Sequence, residues 1–413
     1  VKNKKILSLL LALAMGVSLT ACGGSGGGSP ASAPSDAGGA AADTPSASAS
    51  GSGDYAYVVG HYGGITGAVA TAGSSGYNAI KLCVKQWNEN GGVLGGQIKL
   101  EFYDDGGTTE GAVKGVSYLI DDSKVDGIVG SQLSGNIQAT GDLVEASKVP
   151  EVATGMNPAW LKQGWTYLFR SLPNSSGGAV PLADAMETLE TTELGCLVYQ
   201  DDGNISAFNQ VKEEIGKRNT ITIVSEEQAM IGETDWTGAL SSIIAKNPSG
   251  VLIFAQGEQG CLMIKQLRSL GYTGYIYGPE TFSLPDIRNV AGDGANGVVF
   301  FAPHCIPDSP ADANSDAEKA FLEAYVEEYG SMPASDVAYR AYDATTILLT
   351  AVQQAGTKDG EAVRDVIKNM KIQILAGDAD FSAYDNGECL SGQQIYITHE
   401  GKNISFEKYL AER

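Results

Sequence analysis

The sequence predicts an α/β protein folded as two doubly wound lobes, and three observations carry that expectation. From residue 55 onward, apolar strand-like runs alternate with amphipathic helix-like runs, the pattern of a parallel sheet covered by helices. The strands are too many for one small sheet, so a second is needed. The run Val125 to Pro158 sets strands Gly127-Ile128-Val129 and Val149 to Ala153 on either side of one helix, with Leu143 and Val144 expected to face inward. The carboxyl ends of two parallel strands then lie side by side, and that edge is where open α/β sheets take ligands. A helix N-terminus there favours a carboxylate or phosphate. Ser134 and Thr154 stand at that edge, readable as simple caps of a helix and a turn or as donors to such an anion.

Ahead of the folded part, Lys2, Lys4 and Lys5 precede the apolar run Ile6 to Leu19, and Leu19-Thr20-Ala21-Cys22 follows. This looks like a bacterial lipoprotein signal, which implies a signal peptide over 1–21 and a lipid thioether on Cys22. Residues 22–54 are almost wholly Gly, Ser, Ala, Pro, Asp and Thr and cannot build a core. They read as a flexible tether reaching roughly 30 Å. Its Gly23-Gly24-Ser25-Gly26-Gly27 matches a nucleophile elbow only formally, since no strand precedes it and no helix follows.

Tyr57 to Gly60 is the first expected strand, with Gly63 to Gly67 as its loop. A helix carrying Tyr77, Ile80, Val84 and Trp87 comes next and is stopped by Asn90-Gly91-Gly92. Ile98, Leu100 and Phe102 alternate as a strand ending at Asp104-Asp105, and Val113, Val116 and Ile120 mark the next helix. After Val125 to Pro158, strands are expected at Tyr167 to Arg170, Cys196 to Tyr199, Ile221 to Val224, Val251 to Ala255, Tyr275 to Tyr277 and Val298 to Ala302. Helices Ala179 to Glu190 and around Phe208, Val211 and Ile215 lie among them. Three helices follow, over Asp316 to Tyr329, Ser335 to Ala355 and Gly360 to Met370, and then a strand at Ile395 to Ile397.

Composition excludes several functions. A net charge of -22 over 413 residues argues against nucleic acid, whose affinity comes from neutralised phosphates. The three histidines, His61, His304 and His399, lack metal-ligand spacing. There is no Walker A loop and no G-x-G-x-x-G at a strand-to-helix turn. Asp104-Asp105 and Asp201-Asp202 sit just past strands, where Asp commonly caps. No nucleophile–base set is present, so binding without turnover, with no cofactor and no metal, is expected. Besides Cys22 there are five cysteines, an odd number that argues against a full disulfide framework; a Cys305–Cys389 bridge stays open.

Gly91-Gly92-Val93-Leu94-Gly95-Gly96 followed by Ile98 to Asp105 resembles a characteristic run of type I solute-binding proteins. It is most similar to the branched-chain amino acid class that serves ATP-binding-cassette (ABC) importers. Ile65-Thr66-Gly67, Tyr167 to Leu172, Gly232 to Trp236, Gly278-Pro279-Glu280 and Asn296-Gly297-Val298 match in order. The resemblance implies the type I periplasmic-binding-protein fold, with a three-segment hinge near Arg170-Ser171, near Pro303 and at Gly377 to Phe381. Lobe 1 would hold 55–170 and 304–376, and lobe 2 would hold 171–303 and 377–413. It implies a monomer that takes a small-molecule solute, an amino acid, in its cleft and hands it to a membrane permease, with the lipid as its only membrane attachment.

By the same resemblance Ser134 and Thr154 would hold the α-carboxylate, and Glu280 the α-ammonium. The chain departs from the pattern at Met156, where threonine is common, and at Ala72, Asn204, Gln256 and Val337, where aromatics are common. A larger or more polar amino acid than leucine, or another small amide or carboxylate, follows from those departures. Tyr62, Trp160 and Tyr199 are candidates to line such a pocket or to fill the core. A ligand-sensing receptor for a membrane signalling partner is the alternative role.

Overall fold

The structure, a computed structural model, describes residues 55–173, 177–255, 257–390 and 392–413. The expected signal peptide, tether and Cys22, and also Gln256, lie outside the described residues. The first lobe opens with β1 (Tyr57–Gly63), α1 (Ala70–Glu89), β2 (Ile98–Asp104) and α2 (Thr109–Ser117). It continues with β3 (Gly127–Val129), α3 (Ser134–Ser147), β4 (Glu151–Ala153) and β5 (Leu168–Arg170). The five strands are all parallel, in the order β2-β1-β3-β4-β5.

The chain then builds α4 (Ala179–Thr188), β6 (Glu193–Tyr199), α5 (Asp202–Arg218), β7 (Thr222–Ala229) and α6 (Thr237–Ile244). β8 (Gly250–Phe254), α7 (Gly257–Ser269), β9 (Tyr275–Gly278), α8 (Pro285–Ala291) and β10 (Val298–Ala302) follow. It returns to the first lobe for α9 (Asp316–Tyr329), α10 (Val337–Ala355), α11 (Gly360–Lys368) and the hairpin β11 (Lys371–Ile374) and β12 (Gly377–Asp380). It ends in the second lobe with β13 (Gln394–His399), β14 (Lys402–Ser405) and α12 (Phe406–Glu412). The second sheet runs β14-β13-β10-β9-β8-β6-β7, and its five parallel strands repeat the winding order of the first lobe. The two-lobe α/β architecture is thus as the strand–helix alternation predicts.

Strand alternation divides each core in two. In the first lobe Val129 and Val152 face α1 and α10, whereas Ile128 and Ala153 face α2 and α3. In the second, Leu197 and Ile253 face α6 and α7, whereas Cys196 and Phe254 face α4 and α5. α1 buries Ile80 and Val84 of its expected face in the core and meets α10 most closely through small residues. A Cβ on Gly76 would come within 2.9 Å of Val337, so Tyr77 and Trp87 are left half-buried.

The structure departs from the sequence reading at several places. Val144 is inward, but Leu143 is exposed, because one helical residue step rotates it off the buried stripe. β4 starts at Glu151 rather than Val149, since Pro150 has no N–H to give a ladder. The β11–β12 hairpin and the residues to Leu390 pack on the first lobe, with Ala379, Phe381, Cys389 and Leu390 in its core. The third crossing therefore falls after Leu390 and not at Gly377 to Phe381. Cys305 and Cys389 are both free and buried: Asn403 donates to the Cys305 sulfur, and the Cys389 thiol donates to the Arg170 carbonyl.

Glu151, on β4, is fully buried, and the Tyr62 hydroxyl donates to its Oε1 at 2.9 Å. Burial raises its carboxyl from 4.5 to about 8, against the opposing pull of that hydroxyl. The folded chain therefore keeps a proton that the unfolded chain releases. Its contribution to stability is complete below pH 4.5 and is lost as pH rises to about 8. His61, lowered from 6.5 to about 4 by burial, acts oppositely below pH 6.5, and Asp343, raised from 3.8 to about 8 by burial, declines alongside Glu151, so the difference between variant and wild type above pH 6.5 isolates Glu151. Glu151→Gln should remove up to about 2 kcal/mol of the stability decline across that window. Denaturant melts at several pH values would check it, and an unchanged slope in the variant would contradict it.

Candidate functional site

In a sheet wound 2-1-3-4-5 the ligand crevice opens where the winding reverses, here between β1 and β3 in the first lobe and between β6 and β8 in the second. The first-lobe crevice is flanked by the starts of α1 and α3. α3 has no side-chain cap: Leu133 is its N-cap residue, and the Ser131 hydroxyl turns back to accept from the Leu133 N–H at 3.1 Å. The Asn136 N–H donates to the Leu133 carbonyl at 2.9 Å, which leaves the N–H groups of Ser134 and Gly135 to face an anion. Gly135 stands beside open space.

Ser134 is the first residue of α3, not its cap. Its hydroxyl accepts from the Asn157 N–H at 3.1 Å, tying the loop after β4 to the helix. A Cβ on Gly155 would come within 2.7 Å of that hydroxyl oxygen, so the two loops meet closely. Thr154 is buried, and its N–H donates to the Ser131 carbonyl at 3.3 Å. Met156 is half-buried, and its carbonyl accepts from Arg170 at 3.1 Å. These three residues come together at one rim. Ala72, half-buried, sits in the first turn of α1 beside Gly73, whose absent Cβ would run into the Gly64 carbonyl.

Glu280 lies just past the end of β9 and lines a cavity of about 380 Å³ between the lobes. The facing wall is Pro333 to Asp336, just ahead of α10, and His304 to Asp308 close the hinge side. Burial raises the Glu280 carboxyl above its ordinary value; Arg340 opposes this shift and Asp336 adds to it. Arg340 belongs to the other lobe, with its Nη2 4.0 Å from Glu280 Oε1. Its guanidinium is fixed by Asp336, to which Nε donates at 2.8 Å. Asp336 is therefore balanced by Arg340, and Asp308 by a two-bond pair with Arg288. Glu280 is left as the carboxylate with the weakest neutralisation in this cavity.

Other candidates are occupied elsewhere. The Asn204 amide donates to Asp201 at 2.7 Å and is buried as part of the α5 cap. The Tyr62 hydroxyl is taken by Glu151 and Thr140, and Trp160 is buried in the core. Tyr199 is buried, and its hydroxyl accepts from the Gly232 N–H. Val337 packs on Gly76. Asp104 binds the loop Ile65–Thr66, and Asp105 holds Gly107 and Asn136. Both carboxylates act as loop braces. Among the described residues, no cluster of His, Cys, Asp or Glu could hold a metal ion, and no helix is long and apolar enough to cross a membrane.

Arg340, Asp336 and His304 are the cavity residues that sequence reasoning missed. They join Glu280 only through contacts between distant segments; Ser335-Asp336 ahead of a helix signalled no more than a cap.

The profile of the periplasmic binding protein family matches residues 56–397. The chain belongs to that family. It is a solute-binding protein of the extracytoplasmic kind. The leucine-specific-binding protein of Salmonella typhimurium is 23% identical over 311 residues, which cover 75% of this chain and 81% of that protein. A leucine-binding protein structure from Thermotoga maritima superposes with a TM-score of 0.60 at 23% identity, covering 84% of this chain and 97% of the other. A solute-binding protein of an ABC transporter from Rhodopseudomonas palustris, in complex with 3,4-dihydroxybenzoic acid, gives 0.63 at 24%, covering 85% and 96%.

The rim with Met156 is held from below by Arg170, which is fully buried and ion-paired with Glu388. Removing one partner of a buried pair leaves an uncompensated charge. Glu388→Gln should cost about 3 kcal/mol, read as a lower midpoint in denaturant. A cost below about 1 kcal/mol, as exposed pairs give, would contradict the bracing role.

Proposed function

We propose that the chain is the solute-binding lipoprotein of an ABC importer, lipid-anchored through Cys22 outside the cytoplasm. It captures an amino acid between the lobes by hinge closure and presents it, as a monomer, to a membrane permease. The observation that carries this reading is the polarity of the cleft walls. One lobe offers the uncapped N-terminus of α3 with Ser134 and Thr154, suited to a carboxylate. The other offers Glu280, suited to an ammonium group. A zwitterion spanning the two would satisfy both and would favour the closed state. The leucine-specific relative supports an amino acid as the solute.

Side-chain selection falls to residues that differ from the family pattern. Ala72 is small where aromatics are common, and Met156 replaces threonine. The pocket accordingly favours a larger or more polar side chain than leucine. A second reading takes a carboxylate without an ammonium group, as bound in the Rhodopseudomonas palustris structure. It would use the α3 terminus and leave Glu280 without a role.

A thermal-shift screen of the purified protein against amino acids and aromatic carboxylates tests both. A solute at a hundredfold its Kd should stabilise the protein by about 2.7 kcal/mol. Ser134→Ala and Glu280→Ala should each remove the shift from the best amino acid while leaving the unliganded melting temperature in place. Retained shifts in both variants would contradict the zwitterion reading, and loss in Ser134→Ala alone would favour the carboxylate reading.

A further inference from the structure

The last turn of α1, the loop Gly91 to Gly96 and the middle of α10 surround an open cavity of about 760 Å³. At about 1.5 Å of rise per residue, this end of the 20-residue helix lies roughly 25 Å from Ala72 at the cleft rim. The walls are two aromatic residues, Trp87 and Tyr342, three amides, Gln86, Asn90 and Gln353, and glycines of the loop. None of the lining residues is charged, although 18% of the chain is Asp, Glu, Lys or Arg.

Each amide is held by one end only. Gln353 Oε1 accepts from the Leu94 N–H at 3.1 Å, and Gln86 Oε1 accepts from the Tyr342 hydroxyl at 2.6 Å. The Asn90 amide donates to the Gln86 carbonyl at 2.8 Å. The other end of each side chain has no hydrogen-bond partner among the described residues, and neither has the Trp87 indole N–H. Asn90 and Gln353 are exposed; Gln86 and Trp87 are half-buried, but their unpartnered nitrogens are not enclosed. The cavity therefore offers N–H donors from Gln86, Gln353 and Trp87 and a carbonyl acceptor from Asn90.

These groups are fixed before any ligand arrives. Val93 and Gly96 exchange two backbone bonds that close the loop, and Gln353 pins its tip at Leu94. A Cβ on Gly91 or Gly95 would meet nothing within 4 Å, so the loop leaves room above bare backbone.

We propose that this cavity is a second ligand site, separate from the interlobe cleft, and that it takes a short neutral oligosaccharide. A sugar ring stacks its C–H face on an aromatic ring, and each of its hydroxyls both donates and accepts, as an amide does. An ionic ligand would find no countercharge here. A purely apolar one would strip the amides of water and return no hydrogen bond. The volume is within the range of small-molecule sites.

The test is a tryptophan-fluorescence titration of the purified protein with cellotetraose, maltotetraose and chitotetraose in turn. At least one should bind saturably. Its affinity should change by less than about twofold between about 0.01 M and 1 M NaCl, over which the screening length falls from roughly 30 to 3 Å. The double substitution Asn90→Ala with Gln353→Ala should weaken that binding at least about tenfold, because each removes a hydrogen-bonding end. Both positions are exposed, and an unchanged melting temperature checks that the variant keeps its fold. Glu280→Gln should leave the titration as it is, whatever the cleft takes. Saturable binding of none of the three sugars, a larger salt dependence, equal binding by the double variant, or loss on Glu280→Gln would each overturn the assignment.

Discussion

One helical turn, Tyr339 to Asp343 in α10, touches the chain at or beside all three places where it crosses between the lobes. At the first crossing the Ser171 hydroxyl donates to the Arg340 carbonyl at 2.9 Å. At the second, the His304 ring lies 4.8 Å from the Tyr339 ring. Near the third, Asp343 accepts from the Leu375 and Ala376 N–H groups at 2.8 and 3.0 Å, and the Gln394 amide just past that crossing donates to their carbonyls. α10 is itself locked to α1 by the close approach at Gly76. The first lobe thus carries on one helix the contacts made at the three crossings. Hinges elsewhere are likewise a few terminal or loop residues that absorb the change.

The same turn connects pivot to cleft. Arg340, whose carbonyl anchors the first crossing, carries the guanidinium that faces Glu280 across the lobes. Arg170 precedes that crossing by one residue and holds the Met156 rim. The proposed solute walls and the crossings between lobes therefore share residues. At 4.0 Å the Arg340–Glu280 contact is loose. Partly exposed pairs of that kind contribute little, so Arg340 leaves Glu280 weakly neutralised.

Much of this fold is legible from local signals. Continuous apolar strands such as Val251 to Ala255 and the boundaries of α9, with Ser315 as cap and Gly330 as stop, can be read almost residue for residue. The position of Ser134 and Thr154 at a strand-end crevice follows from two strands flanking one helix. The repetition of one winding order in both lobes is invisible, because topology can recur without any repeat in sequence. The β11–β12 hairpin escapes notice because its four-residue strands are too short for alternation to register. Without it, the third crossing is misplaced in the sequence reading. Asn204 reads as pocket lining from the family pattern, but the local chemistry of Asp201 as a cap claims its amide. Arg340 and Asp336 stay hidden because an i, i+4 pair on a helix reads as surface decoration until the opposite lobe is in place.

The account rests on a solute held by both lobes at once. A crystal structure of the protein with the best-binding amino acid measures that directly. The account predicts the carboxylate within hydrogen-bond distance of the first turn of α3, the ammonium within reach of Glu280, and the lobes closed about the α10 pivot. A solute contacting one lobe only, or bound away from Glu280 with Arg340 still facing that carboxylate, would contradict it.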